Sequence, residues 1–149
     1  MIRMRRNARI LLNSLGHPDG ELSILLVDDG QIAALNRAYL NREGATNVIA
    51  FPMQAGRFAY LSPQLLGDVV ISVDTAWREA QKAGLDLEER LTQLIVHGLL
   101  HLCGYDHEHD PAGARRMAAK SRQLLEKIKP GARTKPRQAP VSERGPRIT

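Results

Sequence analysis

Hydrophobic positions along the chain fall into blocks with two different periods, and those periods predict the elements. Ile2, Ile10, Leu11, Leu12 and Leu15 on an otherwise basic segment, closed by Gly16, predict a first helix. The Pro18-Asp19-Gly20 turn ends it. Leu22 to Val27 is a run of branched apolar residues held between that turn and Asp28-Asp29, as a buried strand requires. Asp28 with Gln31 makes a capping box, and Ile32, Leu35 and Tyr39 continue at helical spacing, so this strand feeds a helix. Asn41 to Ala45 has loop composition. Val48 to Phe51 predicts a short strand stopped by Pro52, Gln54 to Gln64 a surface loop, and Asp68 to Ser72 another apolar strand.

Ser72 is placed to cap a helix that runs from Val73 and ends at Gly84. Asp86 with Glu89 is a second capping box, opening a helix that reaches about Cys103 and stops at Gly104. Its apolar positions, from Leu91 through Leu94, Ile95, Val96, Leu99 and Leu100 to Leu102, wrap most of the cylinder, which predicts a central, buried helix. Asp110-Pro111 opens a last helix whose single apolar stripe is Met117, Leu124, Leu125 and Ile128. The count is three or four strands with four or five helices, without internal repeats or strict βαβ alternation. The class is therefore α+β, a small mixed sheet packed with helices around the central one.

Beyond Pro130 the composition turns to Pro, Gly, Arg, Lys and Thr, which cannot bury enough surface to offset ordering entropy. The expected organisation is one folded domain over residues 1–129 and a basic, disordered tail over 130–149. A chain of 149 residues can bury roughly 70% of its unfolded surface without disulfide or metal, so any metal present serves function rather than folding. The formal charge of +5 is concentrated at the ends, and residues 11–130 hold 12 basic and 15 acidic residues. The basic ends either attract phosphates or merely solubilise the chain; both readings stand. The one cysteine, Cys103, allows no internal disulfide, and the basic N-terminus lacks the apolar core of a secretory signal. A reducing cytoplasm is expected. No apolar run approaches the roughly 20 residues of a membrane span.

Four of the five histidines fall in one segment, His97-Gly-Leu-Leu-His101-Leu-Cys-Gly-Tyr-Asp-His107-Glu-His109. His97 and His101 are one helical turn apart on one face, close enough for both rings to reach one ion. Gly104 allows a positive φ, so the chain can turn back and bring His107 over the same face. A lone histidine in an apolar helix is usually a hydrogen-bonded core residue. Two at this spacing, then a glycine and a third, reverse that balance, because several uncompensated imidazoles would otherwise incur several kcal/mol of desolvation. Three imidazoles with no obvious fourth protein ligand describe one zinc ion with an open position for water, whose pKa such a site lowers to about 7. Cys103 lies on roughly the opposite side of the helix and reads as packing.

The metalloprotease motif places a glutamate directly after the first histidine as general base, and here that residue is Gly98. Asp106, Glu108 and Asp68 are the candidate substitutes. Asp106, adjacent to His107, is equally placed to orient a metal ligand, and the two roles stay open.

Residues 97–107 resemble the signature of the YbeY family of bacterial endoribonucleases, His-Gly-x-x-His-Leu-x-Gly-Tyr-Asp-His, and match it at every fixed position. Leu35-Asn36 with Tyr39, then Thr46-Asn47-Val48-Ile49-Ala50-Phe51-Pro52, then Leu66-Gly67-Asp68, look like the other landmarks in order. The resemblance covers about residues 5 to 127. It implies a single-strand-specific endoribonuclease that matures the 3′ end of small-subunit (16S) ribosomal RNA and takes part in ribosome quality control. His97, His101 and His107 would be its zinc ligands, and ribosomal RNA with the small subunit its partners. The family often carries an arginine directly after the tyrosine matched by Tyr39, where this chain has Leu40. Arg42, two residues on, is the candidate for that catalytic and phosphate-binding role, Arg37 a second substitute, and Asn47 a further candidate RNA contact.

Two other functions compete: a zinc metallopeptidase-like hydrolase, and a non-catalytic ribosome-associated RNA-binding factor in which zinc only stiffens the fold. Gly98 argues against the first. Chelation separates the second, since a structural ion contributes on the order of 10 kcal/mol of folding free energy. The aromatic residues available for base stacking are few, Phe51, Phe58, Trp77 and three tyrosines, so a base-reading surface is not evident in the sequence.

Overall fold

A computed structural model describes residues 2–53, 65–105 and 111–128. The elements follow the hydrophobic periods: α1 (Ile2–Ser14), β1 (Glu21–Val27), α2 (Asp29–Leu40), β2 (Val48–Pro52), β3 (Leu65–Ser72), α3 (Val73–Ala83), α4 (Leu87–Leu102) and α5 (Pro111–Ile128). The expected loop over 54–64, Asp110 and the tail over 130–149 lie outside the described residues. None of the described helices is long and apolar enough to cross a membrane.

The strands form one sheet in the order β1-β3-β2, with β1 parallel and β2 antiparallel to β3. A mixed three-stranded sheet with five helices is the α+β fold expected. Central β3 is apolar almost throughout because both its faces are covered. Val69 and Ile71 join the large core formed with α1, α4 and α5, whereas Val70 packs with Ile49 and Ile32 under α2. Side chains alternate across a strand, so these two sets define the α4 face and the α2 face of the sheet. Helix α4 is central: Leu91, Ile95, Leu99 and Leu100 are all buried in that core.

Both predicted capping boxes form. Asp28 Oδ1 accepts from the Gln31 amide at 2.8 Å and Gln31 Oε1 from the Asp28 amide at 3.0 Å. Asp86 and Glu89 exchange the same pair at 2.8 and 2.9 Å. Ser72 Oγ accepts from the Thr75 amide at 3.2 Å, capping α3. Such caps each contribute about 1 kcal/mol, and they set where α2, α3 and α4 begin.

Strand β3 starts at Leu65, three residues earlier than Asp68, and β2 includes Pro52. The reason is Gly67, which pairs with Leu22 and Pro52 at a register shift. Its φ is +151°, and a Cβ there would stand 2.3 Å from the Phe51 carbonyl oxygen and 2.9 Å from Leu102. This glycine lets the strands and α4 approach closely rather than breaking the strand. Pro52 is tolerated because β2 is an edge strand.

A polar knot joins the starts of α2 and α3. Asp29 Oδ1 accepts from Ser72 Oγ and Thr75 Oγ1, each at 2.6 Å, and Oδ2 accepts from Arg78 at 2.8 Å. The Ser72 hydroxyl first, then Thr75 and Arg78, stabilise the carboxylate and lower its pKa to about 2.

Candidate active site

Helix α4 is apolar around most of its girth, and four of its polar residues form one stripe. Arg90, Gln93, His97 and His101 recur at i, i+3, i+7 and i+11 and share a side of the helix. The His97 and His101 rings lie with centroids 4.8 Å apart and planes at 69°, both side chains half-buried. The two rings thus lie next to each other on one side of the helix. His107 and Asp106 fall outside the described residues, as does His109. Among the described residues no three potential metal ligands come together.

Gly98 explains the missing glutamate. A Cβ at this position would meet Val69 Cγ1 at 2.8 Å and Cγ2 at 3.0 Å, so α4 lies directly on β3 there. Any side chain at 98 points into the sheet. The metallopeptidase base therefore has no room, and its absence is a packing requirement.

The turn after α4 follows the Schellman pattern, with the Gly104 amide donating to the His101 carbonyl and the Tyr105 amide to the Leu100 carbonyl, each at 3.0 Å. Gly104 has φ +98°, open to glycine at little cost, and Tyr105 packs back onto the core. The chain thus leaves the helix sharply one turn after His101. Cys103 is half-buried against the same core, and burial pushes its thiol pKa up, which keeps it protonated and a poor ligand.

The remaining predicted residues are dispersed. Asp68 is exposed and shares the α2 face with Val70, so the sheet lies between it and α4. As a substitute base beside the histidines it is misplaced, a consequence of strand parity. Asn47 directs its side-chain amide to Glu79, with oxygens at 3.3 and 3.2 Å, while its backbone carbonyl accepts from the Ser72 backbone amide at 3.0 Å. Glu79 in turn accepts two bonds from Arg90, at 3.0 and 2.8 Å, and Arg90 donates to Gln93 at 2.6 Å. This chain ties β2, α3 and α4 together beside the histidine stripe. Glu79 and Arg90 were not singled out in the sequence. The one available signal was that Arg90 and Gln93 continue the His97 and His101 stripe.

Arg42 follows Asn41, whose φ of +55° ends α2 in the left-handed conformation. The Arg42 amide donates to the Asn36 carbonyl at 3.2 Å, and the buried Asn36 amide donates to the Gly44 carbonyl at 3.0 Å. One residue thus anchors the loop on both sides of Arg42, whose side chain is exposed. Helix α2 starts where β1 ends and runs back along the sheet, so its C-terminus sits at the end where parallel β3 begins. Gly67 at that end touches Leu102, the neighbour of His101.

The family described as Endoribonuclease YbeY matches residues 4–129 of this sequence. The chain belongs to this family. It is 49% identical over 124 residues to Endoribonuclease YbeY of Geobacter metallireducens, covering 83% of each chain. It is 40% identical over 121 residues to that of Aquifex aeolicus, covering 81% of this chain and 79% of the other. The solution structure of TM1509 from Thermotoga maritima superposes with a TM-score of 0.59 at 20% identity, covering 91% of this chain and 89% of that one. That likeness speaks for the fold alone.

Proposed function

We propose that the chain is a zinc-dependent, single-strand-specific endoribonuclease, with residues 1–129 as its catalytic unit. Its substrate is ribosomal RNA, cut in 3′-end maturation of the small-subunit 16S species and in ribosome quality control in the cytoplasm. The observation that carries the reading is the pair of half-buried imidazoles on α4, with centroids 4.8 Å apart. The relatives named as endoribonucleases support the RNA substrate. Imidazole donors suit zinc, and His97, His101 and His107 would hold it. When bound, the ion supplies Lewis-acid polarisation of a phosphoryl oxygen and a water of lowered pKa.

The chain's own residues account for the rest. Arg42, fixed through Asn36, offers positive charge to a phosphate and offsets charge that builds up as the ester breaks. Asp106, next to His107, orients that ligand or takes the proton. Asn47 reaches RNA only by giving up its Glu79 bonds. The peptidase alternative is disfavoured by the Gly98–Val69 contact.

The test is cleavage of precursor ribosomal RNA with and without chelator, beside His101→Ala and Leu40→Arg, with far-UV circular dichroism throughout. Chelation and His101→Ala should each abolish cleavage while the domain stays folded, zinc should restore the chelated protein, and Leu40→Arg should raise the rate. Full cleavage by metal-free protein overturns the zinc role; unfolding on chelation points instead to a structural ion.

A further inference from the structure

The last turn of α2 presents a surface that the histidine pair does not use. Tyr39 is 69% exposed and Leu40 is 43% exposed, in a chain with few aromatic residues. The Tyr39 ring is nonetheless braced. It meets Phe51 of β2 in an edge contact, with centroids 5.7 Å apart and planes at 77°. Such a contact fixes the ring's orientation and leaves at least one of its faces open.

Two cations lie close to Tyr39 in sequence. Arg37 lies in the same helical turn, and its 4.0 Å approach to Glu43 joins two largely exposed side chains, a pair of little strength. Arg42 takes part in no ion pair among the described residues. Its backbone is pinned by the two Asn36 bonds. An open aromatic face with an exposed cation three residues away, on a loop whose backbone is fixed, matches one nucleotide, with the base on the ring and its phosphate on the cation. Base stacking on an aromatic ring needs an unpaired base, because a duplex hides its base faces. The surface lies on the α2 face of the sheet, beside Phe51 of β2.

We infer that Tyr39, braced by Phe51, is a stacking platform for one unpaired base of the RNA, and that Arg42 holds an adjacent phosphate. Asn36 is a positioning residue for Arg42. The inference rests on the endoribonuclease reading and adds the residue that selects single strands over duplex.

The test uses the full chain and an unstructured RNA oligonucleotide carrying a single 2-aminopurine, mixed by stopped flow and read before turnover. The same oligonucleotide annealed to its complement is the duplex control. Binding of the single strand by the unaltered chain and by Tyr39→Phe should change the 2-aminopurine fluorescence, and duplex should bind more weakly. Tyr39→Ala should lose the fluorescence change and about tenfold or more in affinity, with its salt dependence unchanged. Arg42→Gln should keep the fluorescence change and lower the slope of log affinity against log salt by about 0.7. Because Tyr39 is exposed, these variants should melt where the unaltered chain does. Undiminished binding and fluorescence change in Tyr39→Ala overturns the platform and leaves the nuclease reading standing. Failure of the unaltered chain to bind RNA at all overturns both.

Discussion

Substituting Gly98 with alanine tests how closely α4 lies on the sheet. In an ordinary helix the change is favourable by about 1 kcal/mol, since alanine loses less backbone entropy than glycine. Here the new methyl would stand 2.8 and 3.0 Å from the two γ-carbons of Val69 and 3.4 Å from its Cβ. Carbon atoms prefer about 3.5–4.0 Å. Val69 cannot easily yield: it is fully buried, paired with Ile24 and Ala50 on either side, and stiff at χ1 because it is β-branched. Overpacking of this kind costs about 1–3 kcal/mol, which exceeds the propensity gain and leaves a net loss of up to about 2 kcal/mol. Val69→Ala removes both γ-carbons and alone costs on the order of 2 kcal/mol as a core truncation. In that background Gly98→Ala should become stabilising by about 1 kcal/mol. The four chains form a double-mutant cycle, read from urea unfolding midpoints at constant m-value. A Gly98→Ala chain more stable than the parent, or two substitutions that simply add, would refute the close approach. The same reasoning then fails to explain the absent glutamate.

Stability should also report on Asp29. Its folded pKa of about 2 lies below the ordinary 3.8, so its contribution is fully present above about pH 3.8 and is lost as pH falls through 2. Asp29→Asn should flatten that acid limb of a pH–melting curve; an unchanged limb would show that the Ser72, Thr75 and Arg78 bonds do not favour the charged form. Gly67→Ala should lower stability by at least about 3 kcal/mol, because a Cβ 2.3 Å from a backbone oxygen cannot be relieved by a rotamer change. Denaturant unfolding measures it, and a loss under about 1 kcal/mol would mean that the β2–β3 end gives way.

Much of this molecule is written in interactions that span three or four residues. The Asp28–Gln31 and Asp86–Glu89 boxes, the Gly84 and Gly104 stops and the His97–His101 spacing depend only on helix geometry, so they are legible along the chain. The apolar periods are equally local, and they located all eight described elements, with β3 beginning earlier than its run of branched residues suggested. Strand order, by contrast, arises from contacts between residues far apart in sequence. Asp68 turned out to lie across the sheet from the histidines because strand parity means something only once the covered faces are known. Asn47, Glu79 and Arg90 are drawn together across three elements, and no local pattern pairs them. Gly98 looked like a missing catalytic residue and is a packing residue, since its neighbour Val69 is supplied by another strand. Tyr39 became a candidate platform only when Phe51 was found beside it. Short-range hydrogen bonding chose the elements and the histidine spacing; long-range close packing chose which side chains meet.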